Sequence, residues 1–127
     1  MYILIIEDHT QVRRLFHEIL ENQGYHVHSV ETVAQAYSLM TSNGYYDLII
    51  TDISLPDSDV FETLQRAREI LPDAKVLVVS GYMNGEFSWA LRRAGAHETL
   101  TKPCRPAALL AEVHKLLADR VQVRKAG

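Results

Sequence analysis

Residues 47–56 read Asp47-Leu48-Ile49-Ile50-Thr51-Asp52-Ile53-Ser54-Leu55-Pro56. The run Leu48-Ile49-Ile50 is apolar without alternation, as a strand must be when helices cover both of its faces, and it leads into a carboxylate. Working outward, Tyr2-Ile3-Leu4-Ile5-Ile6 and Lys75-Val76-Leu77-Val78-Val79 have the same character. Tyr25-His26-Val27-His28-Ser29-Val30 alternates, which suits a strand nearer a sheet edge, and Thr99-Leu100-Thr101 is a weak last run.

Between these runs the apolar spacing is helical. The stripes are Val12, Leu15, Phe16, Ile19 and Leu20; Val33, Ala36, Tyr37 and Met40; Val60, Leu64, Ala67 and Leu71; Phe87, Ala90, Leu91 and Ala94; and Leu109, Leu110, Val113, Leu116 and Leu117. Gly24, Gly44 and Gly95 follow the first, second and fourth as C-terminal stops, and Pro72 ends the third. Five strands alternating with five helices predict an α/β fold. It is a single doubly wound, five-stranded parallel sheet with helices on both faces. The domain is expected over residues 1–119, with 120–127 as a C-terminal tail or the start of a linker.

Composition narrows the function. The chain has 127 residues, 47% of them hydrophobic and 23% charged, enough for one packed core and too little for a multidomain enzyme. A net charge of −3 supplies no basic surplus for a phosphate backbone, so direct nucleic-acid binding by this domain is not expected. Cys104 is the one cysteine and has no internal partner for a disulfide. No apolar run is long enough to span a bilayer, so no membrane partner is expected. A reduced, cytoplasmic compartment is the expectation.

In a parallel sheet of this kind, ligands bind beyond the carboxyl ends of the strands. The residues there are Glu7 and Asp8 after the first run, Asp52 after the third, Ser80 and Gly81 after the fourth, and Lys102 and Pro103 after the fifth. Each has an ordinary explanation taken singly: Asp8 as a helix N-cap, Asp52 as a turn residue, Ser80 as a loop opener, Lys102 as a solvated lysine. None of these explains why all share one rim. Three carboxylates in one pocket repel, and a hard divalent cation, best Mg²⁺, relieves that repulsion with oxygen ligands. A carboxylate beside such a cation can attack phosphorus, while Lys102 and Ser80 steady the phosphoryl oxygens and Gly81 leaves room for them.

With these residues in hand, the chain resembles the receiver domains of bacterial two-component response regulators. The resemblance spans Tyr2 to about Leu117 and rests on Glu7-Asp8, Asp52-Ile53-Ser54-Leu55-Pro56, Ser80-Gly81 and Lys102-Pro103. It implies the flavodoxin-like strand order 2-1-3-4-5. It also implies that Asp52 accepts a phosphoryl group from a phosphohistidine on a sensor histidine kinase or histidine phosphotransfer protein. Mg²⁺ would be held by Glu7, Asp8, Asp52 and the backbone carbonyl of Ser54. Ser80 would move toward the phosphoryl group, Lys102 would pair with it, and the Lys102-Pro103 bond would be cis. Ser54 and Tyr82 would flank the group and set its lifetime. Such a domain is a phosphorylation-controlled switch acting on a downstream effector or attached output domain. It is not a turnover enzyme, catalysing only its own phosphoryl transfer and autodephosphorylation.

Three residues depart from the family pattern. Thr99 stands where an aromatic switch residue is common, Val60 where glycine is common, and Cys104 where a bulky apolar residue follows the Lys-Pro pair. Thr99 and Val60 leave room for a second reading, a phosphorylation-independent pseudo-receiver that binds proteins. A flavin- or nucleotide-binding domain lacks support, because Glu7-Asp8-His9-Thr10 has no glycines to admit a pyrophosphate. In the fourth helical stretch Trp89 lies about 200° around from Phe87, on the outer face, with Arg93 one turn away. The pair is the expected partner interface, and a homodimer through helix four to helix five would use the same surface. His26 and His28 share one face of the second run, where solvation is a simpler role than metal binding.

Overall fold

The computed structural model describes residues 1–126 apart from Pro56 and Ser58, with side chains as far as Ala118. The elements alternate as β1 (Tyr2–Ile6), α1 (Thr10–Glu21), β2 (His26–Val30), α2 (Val33–Asn43), β3 (Leu48–Asp52), α3 (Val60–Ile70), β4 (Lys75–Ser80), α4 (Gly85–Ala94), β5 (Glu98–Thr101) and α5 (Pro106–Ala126). All strand pairings are parallel and the order is β2-β1-β3-β4-β5, as expected.

The unbroken apolar runs split by alternation onto two faces. Ile3, Ile5, Leu48, Ile50, Leu77 and Val79 pack with Phe16 and Leu20 of α1 and Leu109, Val113, Leu116 and Leu117 of α5. Leu4, Ile6, Ile49, Val76 and Val78 face the other way, toward Val33, Ala36 and Met40 of α2, Leu64 and Ala67 of α3, and Leu91 of α4. Each such side chain contributes roughly 1.5–3 kcal/mol by leaving water. The strands are therefore apolar throughout because they serve two cores.

Local chemistry sets the helix ends. Thr32 and Gln35 form a capping box at α2, Asp59 caps α3 and Asn84 caps α4. Gly95 closes α4 at φ +128°, a backbone conformation that favours glycine, and a Cβ there would also push on the Arg68 side chain, whose Cδ lies 2.5 Å away.

Several details differ from the sequence expectation. Leu15, placed in the first apolar stripe, is exposed, because Phe16 and Leu20 already fill the contact with the sheet. In α4 only Leu91 is buried, while Phe87 and Ala94 are half-buried against the core. The ordinary alternative for Asp8 as the N-cap of α1 does not hold either; His9 takes that position, without a side-chain bond. Gly24 adopts φ +91°, two residues beyond the C-cap Asn22. Val60 is the first residue of α3 and is buried, and among the described residues no non-glycine has positive φ, so its β-branch brings no strain. Residues 120–126, expected as a tail, continue the backbone of α5; Gly127 lies outside the described residues.

His97, in the α4–β5 turn, ties the turn to β4. Its Nδ1 accepts the Val76 N–H at 3.0 Å, and its own N–H donates to the Val76 carbonyl at 2.8 Å. Partial desolvation of the ring, in a residue that is exposed overall, together with the charges of Lys75 and Arg68, holds the imidazole below its usual 6.5. An imidazole titrating lower in the folded than in the unfolded chain supports the fold above pH 6.5, and that support is lost as acid protonates the ring. Thermal unfolding of the parent and His97→Gln from pH 8 to about pH 5 should therefore differ in slope below the ordinary histidine value, with the parent the steeper. Parallel curves would show that His97 titrates alike in both states.

Candidate functional site

The strand order reverses between β1 and β3, and their following helices leave to opposite faces, α1 to one core and α3 to the other. This opens a crevice at the carboxyl ends of the two strands. Glu7 extends the β1 ladder by one residue, its N–H donating to the Val30 carbonyl at 3.0 Å. Asp52 is the last residue of β3, in register with Val79, and Ser80 of β4 is in register with Thr101. These registers bring Glu7, Asp52, Ser80 and Lys102 to one rim.

Glu7 is 2% exposed and Asp52 7%, whereas Asp8 is exposed at the lip. One oxygen from each of Glu7, Asp8 and Asp52 lies within 4.8 Å of the others. Lys102 Nζ donates to Asp52 Oδ2 at 3.1 Å and also to Glu7 Oε1. Asp52 Oδ1 accepts the Ser54 N–H at 3.2 Å, and Glu7 Oε2 accepts the His9 N–H at 3.2 Å. Three carboxylates against one ammonium leave a surplus of negative charge.

The electrostatics reflect that surplus. Burial pushes the Glu7 carboxyl above the usual carboxylate range, with the Asp52 charge adding to it and Lys102 and the His9 N–H opposing. Burial works against the Lys102 charge too, but Glu7 and Asp52 outweigh it and raise its pKa, so the ammonium persists. The donor set is all oxygen and anionic, with an exposed member at the mouth, which is what a hard divalent cation such as Mg²⁺ requires.

The remaining predicted residues sit as follows. Ser80 is buried, and its hydroxyl donates to the Tyr82 carbonyl at 2.8 Å while accepting the Tyr82 N–H at 3.1 Å, so it is turned into its own loop. Gly81 is exposed, with open space where a Cβ would stand. The Lys102-Pro103 peptide is cis, as expected. Ser54 and Tyr82 are exposed; the Tyr82 hydroxyl accepts from Asn84 Nδ2 at 2.7 Å. Thr99 is half-buried and its hydroxyl pairs with that of Ser88 at 2.9 Å, a polar link from β5 to α4 where a ring was the family expectation. Trp89 is 61% exposed, with the Arg93 guanidinium carbon 4.8 Å from its ring centroid.

Other candidates do not join the site. His28 pairs with the Tyr46 hydroxyl at 2.7 Å and His26 stacks on Tyr2. Cys104 is half-buried, and burial pushes its thiol up, away from nucleophilic character. Sequence reasoning missed Asp57, whose carboxylate caps α2 from another loop, and Glu98, which joins Arg92 of α4 to Lys115 of α5. Neither arrangement has a local signal, because Asp57 is more than twenty residues from Val33 and Ala34, and Glu98 meets Lys115 and Arg92 on different elements.

The sequence profile described as "Response regulator receiver domain" matches residues 3–114. The chain is similar to the response regulator receiver protein CpdR of Brucella abortus, at 32% identity over 115 residues, covering 91% of this chain and 95% of that protein. It is similar to the DNA-binding transcriptional regulator NtrC of a Bradyrhizobium strain at 33% identity over 119 residues. That alignment covers 92% of this chain and only 24% of NtrC. Among solved structures, a CheY-like response regulator receiver domain protein from Methanospirillum hungatei superposes with a TM-score of 0.88 at 31% identity. The superposition covers 99% of this chain and 98% of that one.

Proposed function

The chain belongs to the response regulator receiver domain family, and from that premise we propose that Asp52 is the residue that takes the phosphoryl group. The observation that carries this reading is the Asp52 carboxylate, buried at the end of β3, bonded to Lys102 and sharing a pocket with Glu7 and Asp8. A receiver is a signalling domain of a two-component system, not a turnover enzyme.

In the transfer, an Asp52 oxygen forms a bond to phosphorus as the donor's phosphorus–nitrogen bond to histidine breaks, and the imidazole leaves neutral, keeping the proton it already carries on its other ring nitrogen. Lys102, already charged and aimed at Asp52, neutralises the phosphoryl oxygens. Ser80 exchanges its bonds to Tyr82 for one to the phosphoryl group. Glu7, Asp8, Asp52 and the Ser54 carbonyl are the residues to hold Mg²⁺, which when bound supplies the positive charge that the carboxylates lack. The phosphodonor is a sensor histidine kinase or histidine phosphotransfer protein. The output is a separate effector or a domain attached beyond residues 1–119, with 120–127 as a C-terminal tail or the start of a linker. Trp89 and Arg93 on α4 form the partner surface, which a homodimer through α4 to α5 would also use. The compartment is the cytoplasm. Among the described residues, no helix is long and apolar enough to cross a membrane.

The test is the intact mass after incubation with a small-molecule phosphodonor, with and without Mg²⁺, while Trp89 fluorescence is followed. A single adduct requiring Mg²⁺, accompanied by a fluorescence change, supports the switch and its reach to α4. No adduct under conditions that label an active receiver would favour the phosphorylation-independent binding module, for which the Ser88–Thr99 hydroxyl pair is the specific observation.

Autodephosphorylation would be set by water access past Ser54 and Tyr82. Tyr82, held by Asn84 above the turn that binds Ser80, is the larger screen. Tyr82→Ala should shorten the lifetime of the adduct several-fold, read as mass loss against time. A lifetime equal to the parent's would remove Tyr82 from that role.

A further inference from the structure

The N-terminus of α2 is capped by two agents. Thr32 Oγ1 accepts the Gln35 N–H at 3.2 Å, and Gln35 Oε1 accepts the Thr32 N–H at 3.3 Å and the Glu31 N–H at 3.0 Å. The first-turn donors Val33 N–H and Ala34 N–H go elsewhere: to Asp57 Oδ1 and Oδ2, each at 3.1 Å. One carboxylate thus clasps two adjacent amides of a helix more than twenty residues earlier in the chain. These two N–H groups hold the Asp57 carboxyl below its usual range.

Asp57 lies in the loop from Asp52 to Asp59 that also carries Ser54. The start of this loop is tied by the Ser54 N–H to Asp52 Oδ1. Its end is tied by Asp59, which accepts the Phe61 and Glu62 N–H groups at 2.7 and 3.2 Å. Asp57 attaches the middle of the loop to a different element. We propose that Asp57 is a positioning residue for the metal half of the site. By clasping the loop onto α2 it holds the Ser54 backbone where its carbonyl serves a divalent cation, and it carries the occupancy of the site to α2. The inference rests on the reading of Ser54 as a metal ligand given above. Reciprocity follows from linkage: a clasp that favours cation binding must itself be favoured by the cation.

The experiment uses Mg²⁺ alone as the probe, with two readouts: the Mg²⁺ concentration that gives a fixed rise in Tm, and amide exchange at Val33 and Ala34. The variants are Asp57→Ala, Asp57→Asn and, as a control that weakens the same helix start without freeing the loop, Thr32→Ala. Asp57→Ala is expected to need about fivefold more Mg²⁺. Asp57→Asn, which keeps one acceptor oxygen, falls between it and the parent, and Thr32→Ala matches the parent. In the parent, Mg²⁺ slows exchange at Val33 and Ala34. An unchanged Mg²⁺ requirement in Asp57→Ala, an equal shift in Thr32→Ala, or exchange at the two amides that ignores Mg²⁺ would overturn the clasp while leaving the phosphoacceptor reading intact. A parent whose Tm ignores Mg²⁺ would overturn both.

Discussion

Asp52→Asn is expected to abolish the phosphoryl adduct completely while leaving the domain folded. The amide has nearly the shape of the carboxylate, so one position still accepts the Ser54 N–H that Asp52 Oδ1 accepts at 3.2 Å. Lys102 keeps its bond to Glu7. Removing one of the three clustered carboxylates also lowers their mutual repulsion, so Tm should stay within a few degrees of the parent's. What disappears is the nucleophile, because a neutral amide oxygen does not displace at phosphorus under conditions where a carboxylate does. Intact-mass analysis with Mg²⁺ and a small-molecule phosphodonor reads the outcome. An adduct that survives in Asp52→Asn, mapped to Ser54 or elsewhere, would remove Asp52 from the role proposed for it.

The second large effect is expected from Lys102→Ala, and it has two parts with opposite dependence on Mg²⁺. In the transfer, loss of the ammonium that bonds Asp52 at 3.1 Å should slow adduct formation by about 10²–10³-fold, the usual cost of deleting one group aimed at developing charge. In the resting protein, the buried carboxylates of Glu7 and Asp52 lose their shared cation. Breaking a buried pair costs ~3 kcal/mol at the lower end of its range, the end appropriate to a lysine side chain still partly exposed. Glu7, whose carboxyl is already raised by burial, would take up a proton and recover part of that loss. Without Mg²⁺, Tm should therefore fall, and by less as the pH is lowered and Glu7 takes up its proton. With Mg²⁺, the ion replaces the missing charge, so its stabilising effect should be larger in Lys102→Ala than in the parent. An unaltered rate of adduct formation would show that Lys102 has only a structural part.

Much of this was legible before any coordinates. Alternation against continuity separated β2 from β1, β3 and β4, and the three continuous strands do feed two cores. The rim residues were legible because a parallel sheet always delivers the ends of its strands to one side. Leu15 misled because period alone makes the apolar stripe of α1 wider than the sheet can cover. The ordinary alternative for Asp8, a helix cap, falls away because His9 takes that place, and Asp8 stands at the mouth of the pocket with Glu7 and Asp52, where the rim reading put it. The orientation of Ser80 into its own turn, the Ser88–Thr99 pair and the Asp57 clasp were beyond reach. Each depends on a rotamer or on a partner brought near only by folding, and neither leaves a trace in local spacing.

The division of the interior has a further consequence. A side chain of α3 such as Leu64 and one of α5 such as Val113, both fully buried, lie on opposite sides of a sheet whose strands alternate between them, so they share no contacts. The two faces are energetically separate compartments. Losses of stability from truncations on opposite faces, Leu64→Ala with Val113→Ala, should sum to within about 0.5 kcal/mol in chemical denaturation. Paired truncations within one face, such as Leu64→Ala with Leu91→Ala, are free to depart from the sum, because there the void left by one change can be relieved by the other. The domain can thus tolerate repacking of one face without retuning the other, and the α2–α3–α4 face can change shape while the α1–α5 face holds the fold.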